Sequence, residues 1–239
     1  PPLSHVDWLA AFEKYKQIPQ YKELFPDMDL ARFQTIFLWE WSHRLLGRLI
    51  GVVFALGLAW FWLRGALTSR LKWQLSGVLA LGALQGAVGW WMVASGLVNR
   101  VEVAQERLAI HLLLASLTFA ALVWIAGGLS TPRRDEIAST TAKVFGVLML
   151  LATLKQIFLG ALVAGLRAGL TYNTWPLMDG RFVPPVDQLF KNDPWWMNFF
   201  DNITTVQFDH RMAAYAVLAL ALLNAIFARE TGVVRRGWA

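Results

Sequence analysis

Residues 33–62 read FQTIFLWEWSHRLLGRLIGVVFALGLAWFW, a long apolar run with a carboxylate, an imidazole and a guanidinium near its start. These groups belong to Glu40, His43 and Arg44. In a helix, Glu40 and His43 share a face because they are three residues apart. Ionisable side chains are costly to bury at membrane depth, so they usually mark a functional site.

The overall composition indicates the class of protein. The chain has 239 residues, of which 56% are hydrophobic and 16% are charged, whereas about a quarter of the residues of a soluble domain are charged. The apolar residues come in blocks of about 20, the length that a helix needs to cross a bilayer. The sequence therefore predicts an integral membrane protein. Tryptophans cluster near the block ends, as in interfacial belts, at Trp39, Trp41, Trp60, Trp62, Trp90, Trp91, Trp195 and Trp196.

Window hydropathy predicts five membrane-spanning helices. They cover residues 34–63, 73–97, 105–129, 142–166 and 206–228. The polar segment before them, residues 1–32, is expected to lie at the surface and to hold a short amphipathic helix around Val6–Tyr15. The expected fold class is an all-α polytopic membrane helical bundle.

The charges of the loops predict how the helices are oriented. Three segments are basic, namely the loop with Arg64, Arg70 and Lys72, the loop with Arg133, Arg134 and Lys143, and the tail with Arg229, Arg235 and Arg236. The positive-inside rule places them in the cytoplasm or matrix, and residues 1–32 and 167–205 outside. These segments also account for the net charge of +6, which is therefore not a signal for nucleic-acid binding.

Three histidines are expected at one depth in the membrane. In this orientation the first, third and fifth helices run from outside to inside, and His43, His111 and His210 fall within their first two or three turns. All three then lie toward the outer face. Haem ligands would share a level in this way, whereas unrelated core histidines would have no reason to do so.

The types of residue present favour haem over other metal groups. No cysteine is present, which argues against disulfides, thiolate metal sites, iron–sulfur clusters and thioether-linked haem. Helix bundles hold cofactors between facing helices, and a bis-histidine haem needs one imidazole from each of two helices. His43 and His111 meet this condition, and His210 is expected to meet it with a partner on a helix that is not in this chain.

The charged neighbours of these histidines each have two interpretations. Arg44 and Arg211 either pair with haem propionates or extend to the outer membrane interface. Glu40 lies one turn from His43. Its carboxyl group either shuttles protons or stabilises a cationic intermediate at a haem substituent, or it only accepts a hydrogen bond from Arg44 or an imidazole.

An amide and a small residue stand one turn apart in the second and fourth predicted helices, as Gln85-x-x-x-Gly89 and Gln156-x-x-x-Gly160. Small residues at this spacing let a helix or a flat cofactor approach closely. Helix packing is the favoured role of both pairs.

The chain contains a weak internal repeat. His43-Arg44 matches His210-Arg211, and Pro1-Pro2 with Val6-Asp7 resembles Pro184-Pro185 with Val186-Asp187. The repeat predicts an N-terminal half at 1–130, an inner linker at 131–140 and a C-terminal half at 141–239. Two four-helix halves would make an eight-helix pseudo-two-fold protein, so we expect this chain to be an internal fragment or a truncated version that lacks the first helix and the last two.

Six stretches of the chain resemble haem A synthase of the mitochondrial and alphaproteobacterial type. They are EWSHRLLGR at 40–48, GWWMVASGL at 89–97, AQERLAIH at 104–111, GALVAGLRAG at 160–169, TYNTWPLM at 171–178 and VQFDHR at 206–211. The likeness runs through essentially the whole chain, and its last two stretches are highly specific. The lack of a loop cysteine pair fits the cysteine-free branch of this family.

The resemblance implies an activity and a role for each site residue. The enzyme would oxidise the C8 methyl group of haem O to the formyl group of haem A for cytochrome oxidase. His43 and His111 would flank the substrate haem O, and Glu40 would be the catalytic carboxylate. His210 would be one ligand of a haem B cofactor.

The resemblance also implies partners and a location. The partners would be haem O and its synthase, an electron donor and the lipid bilayer of a bacterial cytoplasmic or mitochondrial inner membrane. Small-residue helix faces would permit a homo-oligomer.

A b-type bis-histidine membrane cytochrome that acts only in electron transfer is the alternative function. Glu40 discriminates between the two, because an electron carrier has no need of a carboxylate beside a haem ligand. A non-haem transporter or a chaperone-like subunit is a third interpretation, which a fully functional histidine-free variant would favour.

Overall fold

The protein is built from helices in all the ranges that its computed structural model describes, which are residues 1–96, 100–130 and 140–230. In these ranges the α-helices are α1 (His5–Tyr15), α2 (Pro19–Leu24), α3 (Leu30–Leu63), α4 (Ser69–Ser95), α5 (Gln105–Ser130), α6 (Thr140–Gly165), α7 (Val186–Leu189), α8 (Asn198–Asp201) and α9 (Ile203–Glu230). Two 3-10 turns, Ala168–Leu170 and Trp195–Met197, lie between α6 and α8.

Five of these helices are long and apolar enough to cross a membrane, namely α3, α4, α5, α6 and α9. The predicted all-α polytopic bundle with five spanning helices is therefore confirmed. The amphipathic helix predicted around Val6–Tyr15 is also present, as α1.

Four spanning helices, α3, α4, α6 and α9, begin earlier than hydropathy predicts. At α3 and α4 a side-chain cap marks the start. The side chain of Asp29 accepts a hydrogen bond from the backbone N–H of Arg32 across 2.8 Å and caps α3. Thr68 caps α4 in the same way by accepting from the N–H of Leu71 across 3.3 Å. Such caps satisfy N–H groups that a helix start leaves without partners. A hydropathy window misses them because the capped first turns are polar.

The earlier start of α3 corrects the predicted position of one histidine. His43 comes 13 residues after Leu30, in the fourth turn of α3 rather than in its second or third. His111 and His210 lie within the first three turns of α5 and α9, as predicted. At 1.5 Å per residue α3 is about 51 Å long and exceeds the ~30 Å hydrocarbon core. Its first turns therefore do not mark the membrane boundary.

The chain divides into two compact units, the first of which comprises Pro1–Arg107 and Leu117–Leu129. In this unit α1 packs on the start of α3 through a buried cluster of Phe12, Met28 and Phe33. The rings of Phe12 and Phe33 stack with their centroids 5.1 Å apart. Burial of these aromatic side chains stabilises the docking of the N-terminal segment.

The second unit comprises Leu108–Ser116 and Ser130–Ala239. Here α6 packs along α9. The buried core consists of Ala109, Leu159, Ala161, Leu162 and Val206. Residues 131–139 of the predicted inner linker lie outside the described residues, and the division into repeat halves stays a prediction.

Buried asparagines fold the loop between α6 and α9 onto the start of α9. The amide of Asn202 donates to the backbone carbonyls of Gln188 and Leu189 across 2.8 and 3.1 Å. The amide of Asn198 donates to the carbonyls of Asn192 and Trp195 across 3.0 and 2.8 Å. These bonds satisfy carbonyl groups that would be costly to bury without partners. The loop is therefore a folded part of the second unit.

Candidate functional site

Glu40 and Arg44 form an ion pair on α3. Nη1 of Arg44 lies 3.1 Å from Oε1 of Glu40, and the two side chains are 46% and 47% exposed. The pair follows from the helix, because residues four apart are neighbours on its surface. His43 lies between them in sequence and is also exposed. Of the two interpretations of Glu40, the structure shows the interaction with Arg44, and the proton-shuttle role stays a prediction.

Tyr15 of α1 lies within the electrostatic field of Glu40. Burial raises the pKa of the Tyr15 hydroxyl above its ordinary value, and the negative charge of Glu40 raises this pKa further, against the opposing charge of Arg32. The hydroxyl donates a hydrogen bond to Oε1 of Gln20 across 3.0 Å. Sequence reasoning missed this phenol, because hydropathy indicates only that residues 1–32 are polar.

The two histidines that were predicted to form a pair belong to different units. His43 lies in the first unit and His111 in the second. His111 is half-buried in the second turn of α5, two residues after the fully buried Ala109. The pairing of His43 with His111 stays a prediction.

His210 lies half-buried against α6, beside the Gln156-x-x-x-Gly160 pattern. Nε2 of Gln156 is 3.1 Å from Nδ1 and 3.3 Å from Nε2 of the imidazole. A Cβ atom at residue 160 would lie 3.1 Å from Cε1 of His210, so only glycine leaves the ring this room. Sequence reasoning identified the pattern but assigned it to helix packing, because its partner is 54 residues away.

Arg211 and Gln207 hold the loop that precedes α7. Nη2 of Arg211 donates to the carbonyl of Tyr172 across 2.7 Å, and its Nη1 donates to the carbonyl of Thr174 across 2.8 Å. Nε2 of Gln207 donates to the same Tyr172 carbonyl across 2.9 Å. The motif at 171–178 thus meets the motif at 206–211. Propionate contacts of Arg211 and Arg44 stay predictions, since both guanidinium groups already have protein partners.

The residues around His210 fit a haem. An imidazole is a common axial donor, and the adjacent glycine lets a flat group or a helix come close. In the described part of α6 and α9, Oε1 of Gln156, Oε1 of Gln207 and Oη of Tyr215 are buried without a hydrogen-bond partner. Buried polar atoms are nearly always satisfied, so the unsatisfied Oε1 of Gln156, whose Nε2 contacts His210, indicates that a further polar group belongs beside it.

A cluster of side chains that could hold a bare metal ion is not found in the described ranges. No group of three or more His, Cys, Asp or Glu side chains comes together there. Haem differs from a bare ion in this respect, because the porphyrin supplies the equatorial donors and the protein supplies only axial ligands.

Comparison with known protein families identifies the family of this chain. The profile of the COX15-CtaA family, described as cytochrome oxidase assembly protein, matches residues 1–238. The chain belongs to this family. The match covers α1 to α9 and every candidate site residue, so the family assignment applies to the whole of the described structure.

Several bacterial relatives in this family are named heme A synthase. The relative from Beijerinckia indica is 61% identical over 233 residues, which are 97% of this chain and 65% of the relative. The relative from Rhodopseudomonas palustris strain HaA2 is 57% identical over 226 residues, 95% of this chain and 62% of the relative. The relative from Agrobacterium fabrum is 55% identical over 226 residues, 95% of this chain and 61% of the relative.

The chain spans less than two thirds of the length of these relatives. No solved structure matches it. The bacterial relatives and the five apolar helices support a multi-pass protein of the cytoplasmic membrane.

Proposed function

We propose that this chain acts within a haem A synthase, which oxidises the C8 methyl group of haem O to the formyl group of haem A. The observation that carries the proposal is the 61% identity to a protein named heme A synthase over 97% of the chain. The family description, cytochrome oxidase assembly protein, agrees with a product used in that oxidase. Haem O is then the substrate, and an electron donor and the haem O synthase are partners.

In this proposal the first unit supplies the catalytic carboxylate. Glu40 accepts or donates the proton that accompanies oxidation at the methyl carbon, and His43 and His111 bind the substrate haem from two sides. The half-exposed ion pair with Arg44 supports this role, because it holds the Glu40 carboxylate in position and leaves it reachable. Arg44 also stands one residue from His43, where it can contact a propionate.

The second unit holds the cofactor site. His210 would hold haem B through its imidazole, and the haem would supply reversible one-electron transfer when bound. Gln156 and Gly160 surround the imidazole, and Arg211 and Gln207 keep the adjoining loop in place. His210 and the proposed catalytic carboxylate Glu40 therefore belong to different units of the chain.

The first experiment is a spectrum of the purified chain in detergent, oxidised and dithionite-reduced, with extraction of the haem. We expect a low-spin haem that His210→Ala removes, and a second population that His43→Ala and His111→Ala remove. His5→Ala is the matched control, because His5 is exposed on α1 and has no proposed role. A chain that keeps all its haem in the three histidine variants would overturn the assignment of ligands.

The second experiment measures the reaction. The relative from Beijerinckia indica is longer than this chain, so a chimera supplies the remaining segments and is co-expressed with a haem O synthase. We expect haem A in the extract, and haem O alone when Glu40→Gln is introduced. Haem A formation that Glu40→Gln leaves unchanged would remove the catalytic role. Bound haem B without any haem A would favour the electron-transfer cytochrome.

A further inference from the structure

Gln156 of α6 holds its side-chain amide against the imidazole of His210 on α9. Its Nε2 atom lies 3.1 Å from Nδ1 and 3.3 Å from Nε2 of the ring. The same atom donates a hydrogen bond to the backbone carbonyl oxygen of His210 across 3.2 Å. One amide therefore contacts both the ring and the backbone of the proposed haem ligand.

The two ring distances show where the amide nitrogen lies. The ring nitrogens flank Cε1, so an atom in the ring plane and nearly equidistant from both nitrogens would overlap Cε1. The amide nitrogen must therefore lie over the face of the ring. An amide in this position does not occupy the in-plane direction along which a ring nitrogen binds iron.

Gly160, one turn further along α6, bounds the edge of the same ring. A Cβ atom there would lie 3.1 Å from Cε1 of His210, whereas carbon atoms in contact prefer about 3.5–4.0 Å. The glycine thus lets the imidazole approach α6 while the amide of Gln156 covers its face. The amide over the face and the glycine at the edge together restrict rotation of the ring about its bond to Cβ.

We infer that Gln156 and Gly160 set the plane of the His210 imidazole and are positioning residues for haem binding. The inference rests on the proposed role of His210 as a haem ligand. Partners that orient a metal-binding histidine matter for affinity, and their loss weakens metal binding about 10- to 100-fold. The plane of an axial imidazole also shapes the electronic structure of the iron, which gives a spectroscopic readout that helix packing alone would not change.

The geometry can be measured by NMR on the haem-free chain in detergent. Protons over the face of an aromatic ring are shielded, so we expect the side-chain amide protons of Gln156 upfield of those of other glutamines. His210→Ala should return them to ordinary positions. Thr153→Val, which changes an exposed residue of α6 one turn away, should leave them unchanged. Ordinary amide positions in the unaltered chain would overturn the inference whether or not the chain binds haem.

The consequence for haem is measured on the loaded chain. Gln156→Met keeps the length of the side chain and removes the amide, and Gly160→Ala places a methyl group against the ring. We expect both to shift the g values of the low-spin ferric haem and to weaken its binding about 10- to 100-fold. Gly146→Ala is the control on the same helix, because a Cβ atom there meets nothing within 4 Å.

Two outcomes separate this inference from the proposed function. Suppose that Gln156→Met leaves the g values and the haem affinity unchanged, while circular dichroism shows that helicity is retained. The amide would then serve only in helix packing, and the inference would be overturned. An unaltered chain without haem would instead count against the proposed function, while the NMR measurement would still decide the position of the amide. Gln156→Met is the decisive variant because it adds no bulk and so keeps the fold.

Discussion

The guanidinium of Arg211 donates a hydrogen bond to the backbone carbonyl of Tyr172 across 2.7 Å, and so ties α9 to a residue 39 positions earlier in the chain. The residue beside it, His210, is the proposed haem ligand. One short segment of α9 thus carries both an imidazole donor and the anchor of the neighbouring loop. The highly specific motif at 171–178 supplies the acceptor of this hydrogen bond, and the motif at 206–211 supplies the donor.

Arg211→Lys should loosen the loop without unfolding α9. A lysine ammonium cannot reproduce the fork that reaches both Tyr172 and Thr174. We expect the local opening free energy of residues 171–178 to fall by about 2 kcal/mol, the usual contribution of hydrogen bonds to a charged group. Hydrogen exchange measured by mass spectrometry checks this. Arg64→Lys, at the end of α3, is the control, and equal exchange in both variants would contradict the prediction.

Glu40→Gln should abolish activity while leaving the protein folded. Loss of a general acid or base costs about 100-fold or more in rate, whereas a half-exposed ion pair such as Glu40–Arg44 contributes at most about 1 kcal/mol to stability. Haem A yield in the chimera and thermal unfolding in detergent measure the two effects. Glu13→Gln breaks another ion pair, with Lys16, and should retain activity. A similar loss of activity in both variants would instead indicate a general electrostatic effect.

Glu40→Gln should also lower the pKa of Tyr15. Burial and the charge of Glu40 both raise this pKa above 10.0, so removing the charge leaves burial against the opposing charge of Arg32. Because the folded pKa is raised, the stabilisation from neutral Tyr15 is present below pH 10.0 and is lost as pH rises through the folded pKa. Docking of α1 should therefore weaken in alkali, and it should weaken less in the variant, whose folded pKa lies closer to 10.0. Titration of the Tyr15 Cζ resonance by NMR measures the shift, and an unchanged pKa would show that the two groups do not interact.

Asn202→Ala should destabilise the second unit. The side chain is fully buried and donates to the carbonyls of Gln188 and Leu189, and leaving buried acceptors without donors costs about 1–3 kcal/mol. Asn173→Ala removes a comparable bond to the carbonyl of Leu170 at an exposed position, where water replaces the donor. Denaturant unfolding of both variants should show a large loss of unfolding free energy only for Asn202→Ala. Similar losses in the two variants would contradict the explanation by burial.

Local chemistry made much of the fold predictable. Hydropathy located five spanning helices, because a bilayer requires apolar runs of about 20 residues. The Glu40–Arg44 pair follows from a spacing of four on one helix. The caps at Asp29 and Thr68 could have been predicted from the sequence, since both residue types are strong N-caps. The hydropathy window missed them because the first turns of these helices are polar.

By itself, the sequence determined the helical membrane class, the number of spanning helices, the family motifs and the candidate ligands His43, His111 and His210. The tertiary structure alone decided that Gln156 and Gly160 meet His210, and that Arg211 meets Tyr172. The reason is physical: helices that are apolar on all sides carry little periodic signal for the face that packs. Contacts between residues 54 and 39 positions apart therefore appear only when the helices are assembled.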